Sequence, residues 1–469
     1  MLNIARELKR RGHTVVTCVP QLFRPVVERL GLCGLCYSED STVLMRNFGA
    51  DWKAARYALG WLARSIDEQL AVLDELCQGA DALVTTAQET AAPTVAEARG
   101  LAHFRVVYAP MIPGDQPPPL QPFQRLPRWA NRALWTALNV AIHLLFGRKI
   151  NRERRRRGLA PSPYMADYLA RNSHTLLAFS PRLGPPAAGW KYPYTYVGYC
   201  HGQDDGALEP GLRAFLAAGP PPVYVGFGSV SVAHPQRFGR MLVEAAARAR
   251  CRVIIGKGWT GLAHHDPGAG RNGDHNAAAE GNGRRQVYDH IYVANTLPHA
   301  AVFPQLSAAA HHGGSGTLHN AARAGLPQFI MPQIADQFYW GHRVACLGVG
   351  PRPVPPARLN VSKLAAALAS LTTNRRMQAE ARRLAALLRA DERPTGGADA
   401  SSASDRSENA RSAGASSAGD RSENARSAGA SSGDPSSGVK RAATVIERKL
   451  ADVVLPAVNR TLGAAAVSR

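Results

Sequence analysis

The stretch AHHGGSGTLHNAARAG, from Ala310 to Gly325, limits what this chain can fold into more than any other part of it. A compact apolar run ends in a turn built on Gly313, Gly314 and Gly316, and a helix-forming sequence, Thr317–Ala324, begins at once. A strand that passes through a glycine-rich turn straight into a helix is the opening half of a βαβ unit, the building block of parallel sheets. The turn also has a chemical consequence. It leaves backbone N–H groups exposed at the positive end of a helix, a ready site for phosphate. Glycine lets the backbone approach an anion closely. Ser315 and Thr317 add hydroxyl donors, and His312 can donate to, or protonate, an oxyanion. The turn has neither the GKS/T of a Walker loop nor the GxGxxG of a dinucleotide fingerprint.

The same alternation recurs elsewhere. Leu2–Arg11 reads as a helix and Thr14–Val19 as a β-rich run, with further compact runs at Asp81–Thr86 and Phe104–Tyr108. A second series opens with Val223–Val225, which leads into the turn Gly226–Ser229 and a helix from Pro235 to Arg250. Arg252–Ile255, Ile291–Val293, Ala308–His311 and Gln328–Met331 follow as short strand candidates. Two such series in 469 residues predict two α/β domains facing each other across a cleft, with the boundary near 202–219. Pro110–Pro127 is too proline-rich for regular structure and reads as a surface loop. Ala130–Ile150 reads as a helix whose apolar centre, Ala133–Phe146, is interrupted by Asn139 and His143 and is too short to cross a bilayer. It continues into NRERRRR at 151–157. That helix reads either as a core or cleft-lining element, with His143 facing inward, or as a membrane-surface helix with a basic flank.

Two segments do not fit a compact core. Ala263–Gln286 is rich in Gly, Asn, His and Ala. Arg389–Gly438 is low in complexity and repeats DRSENARSAGASS at Asp405–Ser417 and Asp420–Ser432. It reads as a flexible insertion, because such a composition buries too little apolar surface to offset the entropy of ordering it.

An apolar fraction of 45% excludes a wholly disordered chain. The charge balance of 56 Lys+Arg against 35 Asp+Glu leaves +21, which suits nucleic acid, an anionic membrane or an anionic substrate. No helix-turn-helix, zinc-finger or RNP-like pattern supports nucleic acid, so no nucleic-acid partner is expected. The first residues are charged and carry no apolar signal region, and the seven cysteines are scattered, which together predict a cytoplasmic protein with reduced thiols. Cys33 and Cys36 form one isolated CxxC and read as two buried thiols, since a zinc site takes about four ligands. His264, His265 and His275 lack ligand spacing, and no metal is expected.

HHGGSGT, RAGLP, ADQFYWGHRV and LGVGP, all between 310 and 351, resemble the donor-binding region of nucleotide-sugar-dependent glycosyltransferases of the GT-B fold. The resemblance is to the sterol 3-β-glucosyltransferase-like group and its bacterial macrolide- and lipid-glycosylating relatives. VYVGFGS at 223–229, GHTVVTCVP at 12–20, the 151–159 region and YPYTYVGY at 192–199 fit the same pattern. It implies two Rossmann-like domains: an acceptor domain over 1–205 and a donor domain over 215–388, then the insertion at 389–438 and a helical segment at 439–469.

The resemblance implies inverting transfer of a hexose from a UDP- or dTDP-sugar to a hydroxyl of an apolar acceptor such as a lipid or sterol-like molecule, with no cofactor or metal. His312 would contact the β-phosphate. Gly314, Gly316 and Thr317 would cradle the diphosphate with Ser229, within walls that include Gly228, Gly313 and Ser315. Asp336 and Gln337 would hold sugar hydroxyls, and the backbone of Leu297 would meet the base. Asn320 stands where many relatives carry a ribose-binding Glu, and Thr296 where plant relatives stack a Trp, so both nucleotides stay open. A peripheral contact with an anionic membrane, at its inner face, fits the basic charge and the acceptor class.

Relatives place the catalytic His or Asp in a loop after a first strand and before a helix that resembles Leu2–Arg11. The base is therefore expected upstream of Met1, and losing that strand should expose apolar surface. His13 follows the helix and reads as structural. The alternative is a catalytically impaired nucleotide-sugar-binding protein or helper subunit.

Overall fold

The computed structural model describes residues 1–37, 52–87, 89–118, 123–186, 190, 192–202, 208–228, 232, 234–256, 290–294, 297–393, 434 and 436–466. The Gly/Asn-rich stretch 263–286, with His264, His265 and His275, lies outside them, as do the tandem repeats, Ser229 and Thr296.

The first half contributes β1 (Val16–Pro20), β2 (Cys33–Tyr37), β3 (Ala82–Thr85), β4 (Ala102–Val107), β5 (His174–Leu177) and β6 (Tyr194–Tyr196). They divide between two parallel sheets, β1-β2 and β3-β4-β5-β6. β1 and β3 are each an outer strand of their own sheet, and Val16 on β1 is exposed. Cys33, expected to be buried, is exposed. The reason is that β2 is also an outer strand, in a sheet with only one partner.

The second half forms one five-stranded parallel sheet from β7 (Val223–Gly226), β8 (Val253–Gly256), β9 (Ile291–Ala294), β10 (Ala308–His311) and β11 (Gln328–Ile330). Its order is β11-β10-β7-β8-β9. Side chains alternate across a strand. Val223 and Val225 accordingly enter one apolar cluster and Tyr224 the cluster on the opposite face. A parallel sheet covered on both faces reads as short continuous apolar runs, and that is how these strands appear in the sequence.

Helix α1 (Leu2–Arg10) buries Ile4 and Leu8, one turn apart, against the sheet through β4 and β5. The helix expected over 130–150 is a longer rod: α2 (Arg128–Ile142), a π-helical turn His143–Gly147, and α3 (Arg148–Arg156). In the second half, α4 (Pro235–Ala249) follows β7, α5 (Ser315–Ala324) follows β10 and α6 (Gln337–Cys346) follows β11. α7 (Val361–Thr373) and α8 (Arg375–Asp391) then lead to α9 (Ser437–Ala466). The regular structure of α8 and α9 thus reaches into both ends of the segment expected to be a flexible insertion.

Val439, Ala442, Ala443 and Ile446 of α9 pack beside Ile4 and Leu8, which returns the chain to its first half. Glu447 of α9 accepts hydrogen bonds from Arg11 at 2.7 Å and from His13 Nε2 at 3.0 Å. His13 is therefore a tether between α1 and α9.

The halves meet through a shared apolar cluster. Val107, Phe179 and Leu183 from the first pack with Leu318, Trp340 and Val344 from the second, and the Phe179 and Trp340 rings lie edge to face at 5.7 Å. Arg343 donates to the Leu183 carbonyl across the same seam at 2.7 Å. Among the described residues, no helix is long and apolar enough to cross a membrane.

Candidate donor site at the switch point of the second sheet

In the second sheet the chain runs from β7 outward to β8 and β9, then returns to the other side of β7 for β10 and β11. The order reverses between β7 and β10. In open parallel sheets, ligands bind in the crevice outside the carboxyl ends of the strands at such a reversal. Register pairs Gly226 with His311, so the turns carrying Gly228 and His312 emerge side by side at that edge.

His312 is the centre of the arrangement. Its ring is buried, with Nδ1 lacking a partner in hydrogen-bonding geometry. Burial pushes the imidazole down to about 4, with the Gly226 backbone pulling the other way, so the ring is neutral at neutral pH. Two glycines wall it. A Cβ on Gly228 would stand 3.0 Å from His312 Cε1, and Gly228 has φ +58, a left-handed backbone that disfavours side chains. A Cβ on Gly314 would collide with His312 Nε2.

Helix α5 starts beside that ring. Gly314 is its N-cap and offers no side-chain cap, so the first N–H groups, on Ser315, Gly316 and Thr317, lack the partners a helix interior would provide. The neighbouring His311 fixes the turn that aims them. Gly313 N–H donates to His311 Nδ1 at 3.1 Å, so Nε2 carries the proton and donates to Gln328 Oε1 at 2.9 Å. Burial and the adjacent His312 hold His311 down at about 3, which leaves it a neutral structural pin.

The loop after β11 brings in Asp336 and Gln337. Trp340 Nε1 donates to Asp336 Oδ2 at 2.9 Å, and burial lifts this carboxyl to about 6 against that hydrogen bond. Gln337 is buried, and its Oε1 accepts from the backbone N–H groups of Gln333 at 2.8 Å and Ile334 at 3.1 Å. Its carbonyl end is thus committed to shaping the loop. Two features here escape inspection of the sequence. Ala335 holds φ +49, a left-handed conformation costly for a residue with a Cβ, and Gln333 Nε2 is buried without a partner. Such a cluster of strain and unspent hydrogen-bonding capacity is characteristic of binding sites.

Asn320 is engaged with the first half of the chain. Its Nδ2 donates to the Gly316 carbonyl at 3.0 Å, and its Oδ1 accepts from His201 Nδ1 at 3.1 Å. The adjacent His319 ring stacks on Tyr199 with centroids 4.5 Å apart. Thr317 is buried at the start of α5, and Leu297 packs against the cluster under β9. The predicted residues Gly228, His312–Thr317, Asn320, Asp336 and Gln337 therefore come from the carboxyl-side edge of one sheet.

Residues 275–401 match the family model for the erythromycin biosynthesis protein CIII-like C-terminal domain. The chain is 32% identical over 336 residues to vancomycin aglycone glucosyltransferase of Amycolatopsis orientalis, covering 68% of this chain and 72% of that protein. It is 30% identical over 287 residues to sterol 3-beta-glucosyltransferase UGT80B1 of Arabidopsis thaliana, covering 58% of this chain but only 42% of that longer protein. The structure superposes on that of the kitacinnamycin glycosyltransferase with a TM-score of 0.61 at 19% identity, over 83% of this chain and 91% of the other, which establishes the fold. The chain belongs to the GT-B glycosyltransferase family that includes the sterol 3-beta-glucosyltransferases and vancomycin aglycone glucosyltransferase.

Proposed function

We propose that this protein transfers a hexose from a nucleotide diphosphate sugar, a UDP- or dTDP-sugar, to a hydroxyl of an apolar acceptor, with inversion at the anomeric carbon. The single observation that supports this best is the His312 imidazole, walled by Gly228 and Gly314 at the start of α5. A neutral ring with an unpartnered nitrogen, beside uncapped helix N–H groups, suits a diphosphate better than it suits a monocation or an apolar ligand.

In this reading the acceptor oxygen attacks the anomeric carbon as the bond from that carbon to the β-phosphate oxygen breaks. The acceptor proton passes to a base, and the nucleotide diphosphate leaves carrying the negative charge. His312, the hydroxyls of Ser315 and Thr317 and the first N–H groups of α5 stabilise that charge as it forms. Asp336 keeps Oδ1 for a sugar hydroxyl while Trp340 holds Oδ2. Gln337 takes part through its amide nitrogen, since its oxygen is bonded to the loop. Asn320 reaches the ribose only by releasing His201.

The named relatives act on a sterol and on vancomycin aglycone, and of these a sterol partitions into lipid. Peripheral contact with an anionic membrane surface belongs to the same reading. The test is to incubate the protein with UDP-glucose or dTDP-glucose and a panel of sterols and polycyclic aglycones, and to follow products by mass spectrometry. The reading expects one glycoside formed per nucleotide diphosphate released. Donor binding with no product from any pair would favour a nucleotide-sugar-binding protein instead.

A further inference from the structure

The rod formed by α2, the π-helical turn and α3 buries one face and leaves the other uncovered. Asn131, Trp135, Phe146, Ile150 and Arg154 point into the first half of the chain. On the outer face, Trp129 is 73% exposed, Val140 43%, Leu144 69% and Leu145 52%. Ala133, Thr136, Ala137 and Ala141 fill the exposed positions between them, so no charge interrupts the stripe from Ala133 to Leu145. At 1.5 Å per residue, 129–145 spans about 24 Å. The π-helical turn lengthens the stripe. Its extra residue lets Leu144 and Leu145 both face outward before Phe146 and Gly147 turn back to the core.

Charge frames both ends. Arg128 and Arg132 are exposed at the first, and Arg148, Arg152 and Arg155 at the second. The last three make no ion pair among the described residues. Over residues 123–156 the chain has 9 Lys+Arg and a single carboxylate, Glu153, which is occupied by Arg156 and Arg157. A second copy of this face would bring like charge against like charge. A single convex helix face also offers no groove to a docking helix. A bilayer needs no groove. Apolar side chains including a Trp, framed by arginines, match the boundary between anionic headgroups and acyl chains.

We infer that the outer face of this rod docks the protein onto an anionic lipid bilayer, with Trp129, Val140, Leu144 and Leu145 entering the headgroup boundary and the flanking arginines meeting lipid phosphates. This deepens the peripheral-contact reading above and places the docking face on the half of the chain that does not carry the donor site. Its test uses neither donor nor acceptor, so its failure is separable from failure of the transferase reading.

The full chain is sedimented with vesicles of phosphatidylcholine and phosphatidylglycerol, or of phosphatidylcholine alone, at low and high salt. The inference expects partition onto the anionic vesicles at least tenfold above that onto neutral ones. It expects at least a tenfold loss of that partition in Trp129→Ser/Leu144→Ser/Leu145→Ser, and a comparable loss in Arg148→Gln/Arg152→Gln/Arg155→Gln. These positions are exposed, and an unchanged circular dichroism spectrum and melting temperature in each variant verify folding. Full retention of binding by the apolar variant would overturn the inference, because a chain of net charge +21 adsorbing by charge alone would behave so. Absence of wild-type binding, or a wild-type dimer that the apolar variant dissociates in sedimentation equilibrium, would overturn it as well.

Discussion

Gly228 faces the His312 ring across the reversal point of the second sheet: a Cβ at position 228 would stand 3.0 Å from His312 Cε1. Each emerges from the carboxyl end of a central strand, β7 or β10, whose register sets the two turns side by side. Gly228→Ala should therefore act in two ways. The φ of +58 costs an L-residue roughly 1–2 kcal/mol, and the added methyl displaces the imidazole. Calorimetry should show at least about a tenfold loss of nucleotide affinity in a protein whose thermal unfolding remains cooperative.

Asp336 sits at the site at a cost to stability. Its pKa in the folded chain, about 6, lies above the ordinary 3.8, so the folded state binds the extra proton between those values. Stability contributed by that proton is present below the unfolded pKa and is lost as pH rises through 6. At pH 7–8, Asp336→Asn should raise stability by on the order of 1–2 kcal/mol, with Trp340 still donating to the amide oxygen. Sugar transfer should fall at least tenfold. The stability gain should vanish near pH 4, which denaturant titrations at the two pH values would show.

Acid should destabilise the protein early. Burial holds His103, His201, His299 and His312 at about 4 and His311 and His319 at about 3. Each is depressed from the 6.5 of a free imidazole, so the unfolded chain binds more protons below that pH. Their contribution is full above 6.5 and is lost as pH falls toward 4, with each group weakening the fold by up to about 1.4 kcal/mol per pH unit. The melting temperature should fall steeply between pH 6.5 and 4. A saturating nucleotide diphosphate should partly restore it, because the anion favours protonated His312.

Removal of residues 394–433 should leave the rest intact. The flanking helices are already tied together, since Arg441 of α9 donates to the Asp391 carbonyl at 3.2 Å and to Val197 at 2.8 Å. A chain with Arg393 and Asp434 joined by a short Gly/Ser linker should keep its melting temperature and nucleotide affinity. A large loss of either would assign this segment a structural role.

How much of this was legible in the sequence depended on how local each feature is. The His-Gly-Gly turn and α5 could be read directly, because a buried strand, a glycine turn and a helix start are consecutive in the chain. The strands of the second sheet could be read as short apolar runs for the same reason. The contact between His201 and Asn320 could not, because it joins residues 119 apart in the chain. Nor could the division of the first six strands into two sheets, since pairing depends on neighbours that periodicity does not identify. Cys33 shows the same limit: its CxxC spacing is local, but its exposure follows from β2 lying at a sheet edge. Gln337 showed its residue type but not that its carbonyl is spent on Gln333 and Ile334.

The central claim is that the His312 pocket binds the diphosphate of a nucleotide sugar. The most direct test is titration calorimetry of UDP and dTDP into the full chain and into His312→Ala. The account predicts saturable binding of at least one nucleotide by the wild type and a loss of roughly 10–100-fold in the variant, about 1.4–2.7 kcal/mol. Equal affinity in the two proteins would contradict it.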